Sequence, residues 1–392
     1  MPVFVHVLAL AVFAQGTSEF MLSGLVPGIA RELSVPVGAA AGLTSAYAIG
    51  MIVGAPPMAA LSARWPRRRA LAGFLVAFVA VHVVGAVTTD FAVLFATRVL
   101  AAIVNAGFLA VAMSVATALA PRGGQARATA VLLSGVTLSC VVGVPAGALL
   151  GEWSGWRSAF WAVAALCLPA LALVFRSAPV EAAGREQVSV RRELRTLKSP
   201  SVRLALALAA AVNGATFATF AYLAVIATKG AGLPAGAVPG LLAAFGAGAF
   251  IGVNTAGRTA RGGLGRGMAL ALCALPLGWA ALALTSGRPA PLFLLSVVLG
   301  GLSFGIGSAL VNRVMQVASD APSLGGSFAT VTLNTGAFLG PLFAGAVTGA
   351  TGDYRAAAWV SAALAALAAS AVVAYAVRHR YAASGNTRER AR

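Results

Sequence analysis

Two charged residues stand inside long apolar stretches of this chain, and together they have the makings of a proton carrier beside a fixed cation. Glu19 lies near the middle of the first apolar run, 3–29, whereas the other nine acidic residues fall in breaks between runs or near the C-terminal end. A carboxylate at bilayer depth costs roughly 2.5–3.5 kcal/mol on insertion scales, so an acid kept there is a functional candidate. Arg98 lies in the fourth apolar run. Glu19 sits about ten residues, roughly 15 Å, from the far end of its run, and Arg98 about six residues, roughly 9 Å, into its own from the same side. Desolvation favours a neutral carboxyl group and a nearby cation favours the ionised one. A group balanced between the two can take up a proton from one side and lose it to the other. The expected roles are Glu19 as proton carrier and Arg98 as the group that tunes it and relays the conformational change.

The elements that must position these residues are membrane spans. The 392 residues are 59% hydrophobic and only 10% charged, with a mean hydropathy of +0.90, where soluble domains carry about 25% charge. Runs long enough to cross a bilayer, about 17–25 residues, fall at 4–30, 38–61, 70–88, 92–119, 127–150, 158–175, 203–226, 236–256, 268–285, 291–311, 324–348 and 356–377. The first run is too long for a cleaved signal and contains Glu19, so it is expected to be retained. The expected fold is all-α and integral to the membrane, with twelve spans in two pseudo-symmetric six-helix bundles. Residues 1–175 form the first bundle, 176–202 a cytoplasmic central loop, 203–378 the second bundle and 379–392 a cytoplasmic tail.

The net charge of +18 does not point to nucleic acid, because the basic residues form no continuous stripe with exposed aromatics. With both termini inside, 22 of the basic residues fall on cytoplasmic segments and 5 (Arg31, Arg157, Lys229, Arg288, Arg355) outside, the asymmetry that orients membrane proteins. Val190, Leu194 and Leu197 amid arginines predict a short amphipathic helix on the inner leaflet.

The halves echo each other. Span 5 carries Gly135, Gly143, Gly147 and Gly151 with Pro145; span 11 carries Gly336, Gly340, Gly345 and Gly349 with Pro341. Small residues at four- to eight-residue intervals let a neighbouring backbone approach, and the proline weakens a turn. Gly143, Pro145, Gly147, Gly151, Gly336, Gly340 and Pro341 are therefore expected to bend or slide as the protein changes state. Each such pair taken alone is equally well explained by close helix packing.

Three stretches make the chain similar to the major facilitator superfamily, and within it to twelve-span drug:proton antiporters. Ala59–Arg69, with Arg64, Arg67 and Arg68, resembles the family's cytoplasmic loop between spans 2 and 3. Arg98-Val99-Leu100-Ala101-Ala102 with Asn105-Ala106-Gly107-Phe108 resembles its span 4 motif, and Gly143-Val144-Pro145-Ala146-Gly147 with Gly155-Trp156-Arg157 its antiporter motif. Gly16-Thr17-Ser18-Glu19-Phe20 resembles a subgroup of sugar and drug exporters, and within it actinobacterial chloramphenicol-resistance exporters. The resemblance covers essentially the whole chain. It implies neighbouring spans 1 and 4, a bacterial cell membrane, a monomer embedded in the bilayer, and proton-coupled efflux of a small hydrophobic or amphipathic drug. The alternative is export of a sugar, nucleoside or other small metabolite. One departure stands out: where the family has an acid before the first loop arginine, this chain has Ala63. The resemblance makes Arg64, Arg67 and Arg68 gating residues, but Arg64 lacks its usual partner.

Span 7 places Asn213, Thr216, Phe217 and Phe220 at i, i+3, i+4 and i+7, one helical face, with Tyr222 beyond. Tyr47, Asn105 and Asn334 add polar groups from spans 2, 4 and 11, beside Gln15, Thr17 and Ser18 in span 1. An apolar wall with a few amides and hydroxyls suits a neutral amphipathic ligand, although each of these residues alone equally serves helix-to-helix hydrogen bonding. Enzymatic chemistry is not expected. There is no phosphate-binding G-x-x-x-x-G-K motif, and Lys198 and Lys229 are the only lysines. Gly246-Ala247-Gly248 and Gly305-Ile306-Gly307 lie inside spans and read as packing. Cys140, Cys167 and Cys273 read as small packing residues, His82 as a satisfied packing histidine, and no metal site or cofactor is expected.

Overall fold

The computed structural model describes residues 3–62, 65–121, 125–177, 194–259, 266–318 and 325–389. Every regular element among them is helical. Twelve helices are long and apolar enough to cross a membrane, from Val3–Phe20 to Ala356–Ala374, and they coincide one for one with the predicted spans. Because lipid cannot hydrogen-bond the backbone, each span must satisfy its own peptide groups, and helices do so. Leu270, Leu277 and Leu284 of span 9 (Arg266–Thr285) are about 70% exposed, at 71%, 73% and 71%. Their seven-residue spacing makes one stripe that suits lipid contact.

Among the described residues, three spans are interrupted. Span 1 is a helix at Val3–Phe20 and another at Leu22–Glu32, with a turn at Met21. Span 7 breaks at the corresponding place, between Pro200–Phe220 and Leu223–Val225, so Ala221 and Tyr222 are the second-half counterpart of Met21. Span 5 widens into a π-turn at Ser139–Gly143 between Gln125–Leu138 and Val144–Ser154. Pro145 explains it: proline has no N–H to donate and its ring presses on the carbonyl four residues back, so the preceding turn opens. Pro341 lies in a helix that stays continuous over Gly325–Thr351. The two proline spans, expected to behave alike, differ here.

Most of the spaced glycines lie at close helix contacts, and the structure names their partners. A Cβ on Gly135, Gly143, Gly147 or Gly151 would meet Ala9, Thr17, Met21 or Leu25, so span 5 lies along the whole of span 1. In the second half Gly336 and Gly340 meet the span 7 backbone at Ala210 and Gly214. Gly345 meets the Tyr222 hydroxyl, and Gly349 meets nothing within 4 Å. Gly246 rests on Cys140 and Val141, Gly248 on Val297, and Gly305 on Gly252, which is helix packing. Gly143→Val should force spans 1 and 5 apart and destabilise by about 1–3 kcal/mol, the usual cost of overpacking. Gly307→Ala, with nothing within 4 Å of the added carbon, should be neutral; thermal unfolding in detergent separates the two.

The halves meet where span 2 (Val37–Ser62) packs on span 11, span 8 (Val238–Thr259) on span 5, and Leu22–Glu32 on Leu223–Val225. Ser45 Oγ donates to the Phe338 carbonyl across that seam at 2.8 Å. Span 3 (Arg67–Val87) and span 4 (Phe91–Ala118) pack together, span 4 opening on an N-cap in which Asp90 accepts from the Val93 N–H at 2.9 Å.

Ala63, Arg64 and most of the central loop lie outside the described residues, and Leu194–Lys198 is a single 3₁₀ turn. The last helix runs on to Glu389, past the predicted span end at 377, its Ala- and Arg-rich sequence favouring helix. Arg67 and Arg68 open span 3, and Arg68, Arg69, Pro66 and Phe175 line a cavity of about 420 Å³.

Candidate functional site

The interruption of span 1 builds the site. The last four carbonyls of a helix have no intrahelical donor, and in Val3–Phe20 these begin at Thr17. The Thr17 carbonyl accepts from the Met21 N–H at 2.9 Å. The Ser18 carbonyl accepts from Arg98 Nη2 at 2.6 Å, and Nη1 of the same guanidinium donates to Ser18 Oγ at 2.8 Å. Arg98 is 1% exposed and caps the C-terminal end of the broken helix, where a cation also complements the helix dipole.

Around this cap the side chains interlock. The guanidinium carbon lies 4.7 Å from the Tyr47 ring centre and 5.7 Å from that of Phe160. Asn105 donates to the Tyr47 hydroxyl at 2.9 Å and approaches Met51 Sδ at 3.7 Å. His82 reaches Ser18 Oγ through Nε2 at 2.6 Å and the Phe78 carbonyl through Nδ1 at 2.7 Å. Spans 1, 2, 3, 4 and 6 thus meet at one buried polar cluster in the first half of the chain.

Glu19 stands beside this cluster, half-buried. Among the described residues the only side-chain ion pairs are Arg157 with Glu32 and Arg355 with Asp353, so Glu19 and Arg98 form none. The sequence placed the two in the same outer-to-middle part of the membrane; the structure hands Arg98 to the residue before Glu19. One turn back on the same face is Gln15, 1% exposed, with neither amide atom hydrogen-bonded to protein.

The predicted substrate-lining residues divide. Phe217 and Phe220 join an aromatic chain at the seam of the halves. Phe20 stacks on Phe217 at 5.9 Å, Phe217 meets Phe220 edge-on at 5.9 Å, and Phe220 lies 5.0 Å from Phe245, itself 6.1 Å from Phe304. The polar members are turned into backbone contacts. Asn213 donates to the Leu333 carbonyl at 2.6 Å, tying span 7 to span 11, while Thr216 donates to Val212 and Asn334 to Thr330 within their own helices. Tyr222 is fully buried where Gly38 and Gly345 approach its hydroxyl. Beyond this packing a cavity of about 560 Å³ is lined by Arg31, Glu152, Trp156 and Lys229, all of which precede or follow spans on the face that the charge pattern assigns to the outside.

The sequence marks His82 as a satisfied packing histidine, which its two partnered ring nitrogens agree with, but it assigns no place at the site to Phe160, Phe245 or Phe304. For His82 a signal existed: a ring with two nitrogens inside a span needs polar partners, and Ser18 and Arg98 lie at similar depth. Among the described residues no group of three His, Cys, Asp or Glu side chains is arranged to hold a metal ion.

A sequence profile described as Major Facilitator Superfamily matches residues 8–332. The chain is 51% identical over 371 residues to a chloramphenicol resistance protein of Streptomyces lividans, covering 94% of this chain and 95% of that one. It is 35% identical over 347 residues to the inner membrane transport protein YdhP of Escherichia coli K12, covering 88% of each. In fold it is similar to the nucleoside transporter NupG, with a TM-score of 0.77 at 14% identity over 95% of this chain and 99% of that one. It is likewise similar to a bacterial homologue of the lysosomal transporter Spinster in an inward-facing, occupied conformation, with a TM-score of 0.76 at 16% identity over 94% and 95%. With twelve membrane-crossing helices in two six-helix bundles, the chain is a multi-pass membrane transporter and belongs to the Major Facilitator Superfamily.

Proposed function

We propose that this transporter exports a small hydrophobic or amphipathic drug in exchange for protons, chloramphenicol among its substrates, and so confers resistance to it. The observation that carries the coupling is Glu19: a half-buried acid in a broken span, free of any ion pair among the described residues, with the nearest buried cation pinned to Ser18. An acid without a fixed salt partner is free to cycle between its two protonation forms. The substrate class is supported by the 51% identity to a chloramphenicol resistance protein and by an aromatic seam, Phe20–Phe217–Phe220–Phe245, that suits a neutral amphipath.

In this reading the two halves, 1–175 and 203–378, rock about the seam while 176–202 links them and 379–392 trails in the cytoplasm. Both termini face the cytoplasm of a bacterial cell. We read the chain, which holds both bundles, as acting as a monomer. The interruptions at Met21, at Ser139–Gly143 and at Ala221–Tyr222 are the places where spans 1, 5 and 7 bend, and Arg67 and Arg68 close the opposite face. Proton entry down about 100 mV supplies about 2.3 kcal/mol per charge, enough for a severalfold to tens-fold drug gradient per proton.

Cells expressing the chain should become resistant to phenicols, and an uncoupler should remove the resistance. Phenicol susceptibility equal to that of empty-vector cells, with the protein present in the membrane, would refute the substrate. Phe217→Ala, which removes the ring bridging Phe20 and Phe220 while leaving the backbone bonds intact, should alter the relative resistance to different drugs by about tenfold, roughly 1.4 kcal/mol of selective binding. Uniform loss for all drugs would assign Phe217 to folding.

A further inference from the structure

We infer that His82 is a positioning residue for proton coupling: acting through Ser18, it holds Arg98 on the span 1 backbone and away from Glu19. This rests on the reading of Glu19 as proton carrier.

The direction of each hydrogen bond follows from the atoms present. His82 Nδ1 lies 2.7 Å from the Phe78 carbonyl, and a carbonyl only accepts, so Nδ1 carries the hydrogen. In the neutral ring Nε2 is then the acceptor, and the partner at 2.6 Å is the Ser18 hydroxyl, which donates to it. That turns the lone pairs of Ser18 Oγ toward span 4, where Arg98 Nη1 donates at 2.8 Å. Nη2 donates to the Ser18 carbonyl at 2.6 Å, so two donors of the guanidinium fork are committed to one residue. The imidazole is itself fixed: its centre lies 4.2 Å from the Phe78 ring and 5.9 Å from that of Phe160, and Phe160 also lies under Arg98. The charged and titratable groups facing His82, Arg98 and Glu19 are Tyr47 on span 2, Cys140 on span 5 and Cys167 on span 6, besides these three themselves.

Remove the acceptor at His82 and the Ser18 hydroxyl rotates to a carbonyl of its own helix, as serines in helices do. Arg98 then loses its oriented acceptor, and the strongest one within reach is the carboxylate of the next residue, Glu19. A Glu19 locked in an ion pair no longer exchanges its proton, although the drug path is unaltered.

Two assays in proteoliposomes separate this from a structural role: drug uptake driven by a proton gradient, and chloramphenicol–chloramphenicol counterflow, which needs no proton movement. His82→Phe keeps the aromatic stack without the nitrogen acceptor. It should reduce gradient-driven uptake about tenfold or more, the scale of one lost charge-assisted hydrogen bond, and leave counterflow within about twofold. His82→Gln, whose amide oxygen accepts, should recover most of the gradient-driven rate. Ser18→Ala should show the same split as His82→Phe, and the double variant should be no worse than the poorer single one. The proposal is overturned if both assays fall together, if neither falls, or if Gln is as poor as Phe. Should His82→Phe fail to fold, Ser18→Ala decides by the same split. Glu19→Gln run alongside isolates the underlying reading: if that variant keeps gradient-driven uptake, the carrier assignment fails whatever His82 does.

Discussion

Glu19→Gln should reduce gradient-driven export by roughly a hundredfold or more, the scale on which loss of a proton-transfer group acts, with the protein still inserted and folded. Gln preserves the shape of Glu and removes its ionisation. Because Glu19 holds no partner in an ion pair among the described residues, the substitution leaves no cation stranded. Stability should therefore be kept or slightly raised, since a neutral amide is less costly than a carboxylate at membrane depth. Purified wild-type protein should release protons on binding chloramphenicol and the variant should release none. A Glu19→Gln variant that still concentrates drug against a gradient ends the carrier assignment.

Arg98→Ala should damage the fold as well as the transport. It removes two charge-assisted hydrogen bonds to Ser18, worth about 1.5–3 kcal/mol each, and contacts with the faces of Tyr47 and Phe160. It also uncaps the first helix of span 1 and leaves the Ser18 carbonyl without its donor. The two hydrogen bonds alone amount to a destabilisation of about 3–6 kcal/mol, visible as a lower melting temperature in detergent and reduced membrane abundance. Arg98→Lys should fall between, because an ammonium on a flexible stem cannot reach the carbonyl and the hydroxyl as a planar fork does. If Arg98→Ala melts like the wild type, the capping role is wrong.

These expectations show how unevenly the molecule could be read before its fold was known. The twelve spans, the small-residue faces of spans 5 and 11 and the outlying charges Glu19 and Arg98 were all visible in the chain, because each depends on the residue type and its place along one helix. The glycine rows even announced close approach, though not to which helix: Gly143 against Thr17 and Gly340 against Gly214 emerge only when the helices are packed. Pro145 and Pro341 looked equivalent, yet only the first opens a π-turn. Whether a strained turn widens or is absorbed depends on its neighbours.

The polar groups were hardest to read. Asn213 and Asn334, expected at the substrate wall, each donate to a backbone carbonyl, of Leu333 and Thr330, that the chain did not announce. Membrane transfer energies act over whole spans, so apolar length and buried charge are written in the chain itself. Which side chain a hydrogen-bond donor finds is decided within about 3 Å and turns with the rotation and depth of every neighbouring helix. That is why the chain alone determined a membrane-crossing architecture holding one acid and one arginine in the same half of the membrane. Only the packed structure decided that the arginine grips Ser18, with His82 behind it, and leaves Glu19 unclaimed.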